Sequence, residues 1–240
     1  MNRRLENFAG SVQAFMPAWP LDIVPQIDTA WAHTPAQQVA WLAESLADAY
    51  PEAGRHYWAF RTWGLLVWQP VYLTLAGVHL GRAGIRPECI SQSAVDCMVW
   101  GCRIADHDPL EGNEAELLNA AASSLRDGMN MLLETCTSTI DLHPKAAGRL
   151  LADCVTAAML RIMTLRPDWS TEDAAAWGER WLESLGLQGA AGFLRYCDSA
   201  GEEHLAMERK ICCLVYKRHD GFLCETCPKI PLAERLARLS

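Results

Sequence analysis

The sequence predicts a mainly α protein that ends in a small β-hairpin and a cysteine loop. Three observations carry this. Stretches between residues 34 and 186 repeat apolar residues at helical spacing and are bounded by capping and stop residues. After Gly192 the pattern changes to short, partly alternating runs. Four of the ten cysteines then fall within sixteen positions, from Cys212 to Cys227. The simplest organisation is a helical domain over 1–192 and a C-terminal cysteine segment over 193–240 packed on it.

Each element has its own warrant. Thr34-Pro35-Ala36-Gln37 offers a capping hydroxyl, a proline at the first helical position and a glutamine at the third. Val39, Leu42, Ala43 and Leu46 follow on one face, and Tyr50-Pro51 ends the pattern. Thr62 to Gly81 is twenty residues without a charge, long enough to span a bilayer. Pro70 lacks an amide donor and should break or kink a helix there. With Gln69 and His79 nearby, this predicts a pair of buried core helices. Asn113 to Thr139 places Leu117, Leu118, Ala121, Leu125, Leu132 and Cys136 at helical spacing. Pro144 opens another helix that stops at Arg166-Pro167. Ser170-Thr171-Glu172-Asp173 starts the next, and Gly186 supplies a left-handed stop.

Phe193 to Cys197 and His204 to Ile211 read as the two strands of a hairpin, with Ser199 to Glu202 as the turn. His219-Asp220-Gly221 is a second turn signal. It should reverse the chain so that Cys224 and Cys227 meet Cys212 and Cys213.

The bulk properties narrow the classes. The chain has 240 residues, half of them hydrophobic, enough for one substantial core. A net charge of −8 argues against a nucleic-acid partner. That charge is uneven: residues 209–240 hold seven Lys/Arg and three Asp/Glu, a local +4 against −12 on the rest. The N-terminal residues lack the apolar run of a secretion signal, and the chain is far larger than disulfide-stapled mini-domains. A reducing, cytoplasmic compartment is the expectation, with thiols serving as ligands or as small buried hydrophobes.

Four thiolates are a common ligand set for both a [2Fe–2S] cluster and structural zinc. Cys224-Glu-Thr-Cys227 has the two-residue spacing that both use. The adjacent Cys212 and Cys213 suit a zinc ribbon poorly, because neighbouring side chains on an extended chain point apart. A two-iron cluster accepts ligands from more divergent directions. Neither common ferredoxin spacing matches, so spacing favours iron–sulfur but leaves zinc open. Cys89, Cys97, Cys102 and Cys136 form a looser group that matches no common metal site. They are expected as buried cysteines in apolar helical contexts. His107, in Ala105-Asp-His-Asp108-Pro, reads as a loop or capping residue.

The pattern Cys-Cys-x10-Cys-x2-Cys near the C-terminus resembles the signature of the FhuF-type siderophore-iron reductases. Arg209-Lys210 before the pair, Tyr216 after it and the Cys227-Pro-Lys229 end are similar too. So is the upstream segment Arg61-Thr-Trp63-Gly-Leu-Leu-Val-Trp68-Gln-Pro70-Val-Tyr72. The resemblance implies a [2Fe–2S] cluster on Cys212, Cys213, Cys224 and Cys227, and a helical body able to cradle a siderophore. The implied activity is one-electron reduction of a ferric siderophore, releasing Fe(II). A monomer is expected, cytoplasmic and open to peripheral association with the inner membrane.

No GxGxxG, P-loop or haem-attachment motif is present, so electrons must come from a flavodoxin, a ferredoxin, another reductase or a diffusible reductant. Arg209, Lys210, Lys217, Arg218 and Lys229 would offset the cluster's negative charge and steer an acidic donor. A solvated cationic surface is the plain alternative. Arg61, Trp63, Trp68, Tyr72 and His79 are candidates for siderophore contact, against the plain alternative that tryptophans at helical spacing are core. Two other readings stand beside the reductase. One is a helical binding protein with a structural Zn(Cys)4 site. The other is an iron–sulfur electron carrier without its own siderophore site.

Overall fold

The computed structural model describes residues 2–239. The chain is mainly α, with a three-stranded sheet and a two-stranded hairpin among the described residues. Helix α1 (Arg3–Phe15) is capped by Asn2, whose side chain accepts from the Arg4 amide. It buries Leu5, Phe8, Val12 and Phe15. Strand β1 (Leu21–Val24) and helix α2 (Ala36–Ala49) follow. Thr34 does not cap α2 as the sequence suggests. Residues Trp31–His33 form a 3-10 turn, and the Thr34 hydroxyl donates to the Trp31 carbonyl at 2.7 Å. Pro35 takes the capping position instead.

The expected helix pair around Pro70 is one continuous helix, α3 (Arg55–His79). Proline at an interior position removes one backbone hydrogen bond and costs about 3 kcal/mol. Helix α3 packs against α1, α2 and the later elements α4 (Glu114–Thr139), α5 (Pro144–Met163) and β3 (Met98–Ala105). From Leu65 to His79 all but Trp68 and Tyr72 are buried. Burial on all sides offsets the lost bond and holds the helix through the proline. No helix among the described residues is long and apolar enough to cross a membrane.

Strands β2 (Ile90–Val95) and β3 form an antiparallel pair, and β1 joins β3 in parallel with Leu21 opposite Cys102. Three of the cysteines expected in helical contexts therefore lie elsewhere. Cys89 is in a 3-10 turn, Cys97 at the β2–β3 turn and Cys102 in β3; Cys136 is helical, in α4. In β3 the buried side changes phase between Val99 and Cys102, where Gly101 has φ 89° and the pairing register shifts between Gln92 and Ala94. That bulge breaks the period-two pattern by which a strand is read.

The remaining boundaries follow the sequence. Asn113 forms a capping box with Glu116 at the start of α4, and Pro144 opens α5. Ser170 and Asp173 form a capping box on helix α6 (Thr171–Ser184), and Gly186 sits at φ 71° just past it. Strands β4 (Ala191–Cys197) and β5 (Glu203–Arg209) make the hairpin, two residues longer at its start than the alternation suggests and ending before Ile211. The hairpin lies on α5 and α6. Gly178 on α6 admits the Phe193 ring, which a Cβ at that position would meet at 2.4 Å. Helix α7 (Leu232–Leu239) closes the chain.

A buried polar node joins the ends of α3, α4 and α6. The Trp181 indole N–H donates to His79 Nε2 at 2.8 Å, so the ring proton sits on Nδ1, 3.1 Å from Glu114 Oε1. Arg166 donates to the same Glu114 oxygen and to the His79 carbonyl, each at 2.7 Å, and stacks on Trp169. His79 is therefore a satisfied core histidine. Burial holds its imidazole below the ordinary range, partly offset by Glu114. The unfolded chain then takes up a proton more readily as pH falls, so this contribution to stability is full above about pH 6.5 and lost below it. Urea unfolding at pH 7.5 and 5.5 checks this. Wild type should lose stability between them, and His79→Gln should lose less. Equal losses would mean His79 does not set the pH dependence.

Candidate metal centre

The end of β5 delivers Arg209 beneath the cysteine loop. Its Nε donates to Asp153 Oδ2 at 2.7 Å, and both side chains are almost fully buried. Asp153 belongs to the inward face of α5, among Leu150, Ala152 and Thr156. Burial pushes its carboxyl up to about 6, although Arg209 pulls the other way. The free edge of the guanidinium faces sulfur: Nη1 is 3.2 Å from Cys224 Sγ and 3.8 Å from Cys213 Sγ.

Past Arg209 the chain turns sharply. Leu214 takes a left-handed conformation at φ 62°, uncommon for a branched residue and costing of order 1 kcal/mol. This aims its amide at Cys212 Sγ, 3.4 Å away. A 3-10 turn at Val215–Lys217 and a tight turn at Gly221 bring the second cysteine pair back. The Cys227 amide then donates to the Cys224 carbonyl at 3.0 Å. The loop is tied to the body at the α2–α3 connection. The His219 amide donates to Glu52 at 2.7 Å, and Arg218 stacks 4.1 Å from the Tyr50 ring centroid.

All four expected ligands are thus brought together, and they stand as two pairs. Cys212 and Cys227 sulfurs are 3.7 Å apart. Cys213 and Cys224 both face Arg209 Nη1; the neighbouring Cys224 thiol and Arg209 hold the Cys213 thiol below its ordinary range, and Cys213 in turn raises Cys224. Cys212 is raised, chiefly by burial. Among the described residues no three cysteine sulfurs lie within 4.8 Å of one another. A tetrahedral Zn(Cys)4 site needs all four about 3.8 Å apart, given a Zn–S bond near 2.3 Å. A two-iron cluster takes two thiolates on each iron, and the observed pairs suit that division.

The other candidates separate. Trp63 is buried, with its indole N–H donating to the Ala147 carbonyl at 3.0 Å. Trp68 donates to the Val99 carbonyl, packs at a tilt on Trp19 and stacks with Trp100. Tyr72 packs on Phe15 and Trp68. These rings fasten α3 to α5, the sheet and α1, away from the cysteines. Arg61 alone of this group reaches the centre. It lines a cleft of about 230 Å³ with Phe60, Asp153, Met207, Cys213 and Val215.

The cations divide as well. Arg209 is drawn inward by Asp153, and Arg218 is forked onto Asp220 and stacked on Tyr50. Lys210, Lys217 and Lys229 are exposed. Phe222, 73 % exposed, and Leu223 add an apolar tip beside Cys224. Sequence reasoning passed over Asp153, whose signal was a lone acid on the apolar face of a helix. Cys102 and Cys136 are buried; burial raises both thiols, Cys136 to about 12, so they are inert packing groups. His107 is a loop residue, accepting from the Arg86 amide and bonded to the Ala105 carbonyl.

No protein-family model matches the chain. No solved structure matches it.

Gly221 sets the closure of the loop. A Cβ there would lie 2.0 Å from the Val215 carbonyl oxygen, a backbone atom that cannot step aside alone. Gly221→Ala should open the loop and raise the alkylation rate of Cys213 and Cys224 in metal-free protein severalfold. Unchanged labelling, read by mass spectrometry, would contradict this placement.

Proposed function

We propose that the chain is a ferric siderophore reductase that holds a [2Fe–2S] cluster on Cys212, Cys213, Cys224 and Cys227. The observation that carries the reading is the gathering of four sulfurs in one loop, Cys212 with Cys227 at 3.7 Å and Cys213 with Cys224 around one guanidinium nitrogen, with Cys213 on the wall of a shallow cleft. The resemblance to the FhuF-type family, in the cysteine spacing and in Arg61 to Tyr72, points the same way. A cluster so held supplies a single electron carrier near the surface.

What the chain's own groups contribute is position and charge. A ferric siderophore holds Fe(III) with hard oxygen donors, and one added electron leaves Fe(II), for which those donors are poor ligands. No general acid, base or nucleophile is required of the protein. The cleft beside Cys213 is smaller than an ordinary ligand pocket, so an edge of the chelate enters and most of it stays in solvent. Arg61 at the rim favours an anionic chelate. Trp63, Trp68 and Tyr72 shape the wall that carries Arg61 and do not touch substrate. Lys210, Lys217 and Lys229, with Phe222 at the loop tip, offer a cationic and apolar surface to an acidic electron donor such as a flavodoxin or ferredoxin. A cytoplasmic location follows from that donor and from a substrate delivered by uptake.

The test is oxidation of the dithionite-reduced protein by ferric hydroxamate, catecholate and citrate chelates under anaerobic stopped flow. A dedicated reductase should outrun a reduced ferredoxin at least tenfold with one chelate class, and Arg61→Ala should slow that class. Rates equal to the ferredoxin for every chelate would reduce the protein to an electron carrier. Lys210→Glu with Lys217→Glu should slow reduction by a flavodoxin severalfold at low ionic strength, with the difference closing in high salt. A rate unchanged at low salt would remove the donor surface.

A further inference from the structure

The two sulfur pairs have unequal surroundings. Cys213 and Cys224 both face Arg209 Nη1, at 3.8 Å and 3.2 Å. On the other pair, Cys212 accepts one neutral amide, from Leu214, at 3.4 Å. Cys227 is 1 % exposed and packs inward. The guanidinium cannot swing from one pair to the other, because its Nε edge is pinned to Asp153 inside the protein.

Charge-assisted donation to a thiolate stabilises the extra negative charge that arrives with an electron. We infer that Cys213 and Cys224 hold one iron and Cys212 and Cys227 the other, and that Arg209, aimed by Asp153, makes the Cys213/Cys224 iron the one that is reduced. This rests on the cluster reading above. The electron comes from the external donor; one Fe(III) becomes Fe(II), no iron–sulfur bond forms or breaks, and no proton moves. The reducible iron is then the one beside the Arg61 cleft, since Cys213 lines that cleft and neither Cys212 nor Cys227 does. Arg209 is a positioning residue: it touches sulfur, not the chelate.

The test uses full-length protein purified without oxygen, with potentiometry and EPR as readouts that need no siderophore. Serine oxygen is a harder ligand than cysteine sulfur and favours Fe(III), so it opposes reduction most on the iron that takes the electron. Cys213→Ser and Cys224→Ser should each lower the reduction equilibrium constant at least tenfold more than Cys212→Ser or Cys227→Ser, about 59 mV for one electron. Their g-values should also shift more. Arg209→Gln should lower the wild-type potential and change the g-anisotropy, and Arg209→Lys should restore most of both. Larger effects at Cys212 and Cys227, or equal effects at all four, overturn the inference and leave the cluster standing. So does an Arg209→Gln spectrum and potential identical to wild type, which decides the matter where serine variants lose their iron. Wild-type protein that binds no iron overturns the cluster reading and the inference together.

Discussion

The buried Arg209–Asp153 pair is the contact on which the C-terminal third of the structure turns. It places a charge from the last residue of β5 against the inward face of α5, with 2.7 Å between the partners and almost no solvent. Two charges leave water only when each finds the other, and removing one partner from such a pair costs about 3–5 kcal/mol. The pair therefore fixes the depth and rotation at which the hairpin meets the helical body. The fit of Phe193 into the notch at Gly178 fixes the same docking from the other side. Everything after Arg209 inherits this geometry, since only Lys210 and Ile211 separate it from the first cysteine.

That constraint explains how so short a segment can organise four thiols. One end of the loop is held by Arg209, the other is folded back by the close approach of Gly221 to Val215, and its middle is pinned to Glu52 and Tyr50. The strained turn at Leu214 persists because these three anchors over-determine it. Arg209 has a double role in this arrangement. One edge pairs with one oxygen of a buried acid and the other offers positive charge to sulfur, so the element that builds the site also biases it. On the proposed reading this suits a one-electron reaction. Electron transfer asks for approach and a matched potential, and a shallow cleft with a cationic rim provides both without enclosing a bulky chelate.

Much of the fold was legible in the sequence where local chemistry decides the outcome. The boxes at Asn113 and Ser170, Pro144 and Gly186 each act within a turn of helix, and each stands where its chemistry places it. The hairpin was legible because a turn signal at Ser199 to Glu202 separates two short, partly alternating runs, which pair over seven positions without a register shift. The sheet of β1, β2 and β3 was hidden by the bulge at Gly101 and by the shortness of β1, whose partner lies some eighty residues away. Pro70 misled because its cost is local whereas the burial that offsets it is tertiary. At the candidate site, spacing identified the four cysteines but not their pairing. Pairing depends on Leu214, Gly221 and Arg209, and Arg209 depends on an aspartate far back in the chain. The candidates on α3 divided, Arg61 from the aromatic rings, for a similar reason. Helical spacing alone cannot tell the face that packs on α5 from the edge that carries Arg61.

The most direct check on the central claim is metal content and spectrum of protein purified without oxygen. Two irons and two acid-labile sulfides per chain, a red-brown colour that bleaches with dithionite, and an S = ½ EPR signal on reduction are the outcomes the account requires. Colourless protein with one zinc per chain would contradict it, and would show that the two sulfur pairs close into a single tetrahedral site.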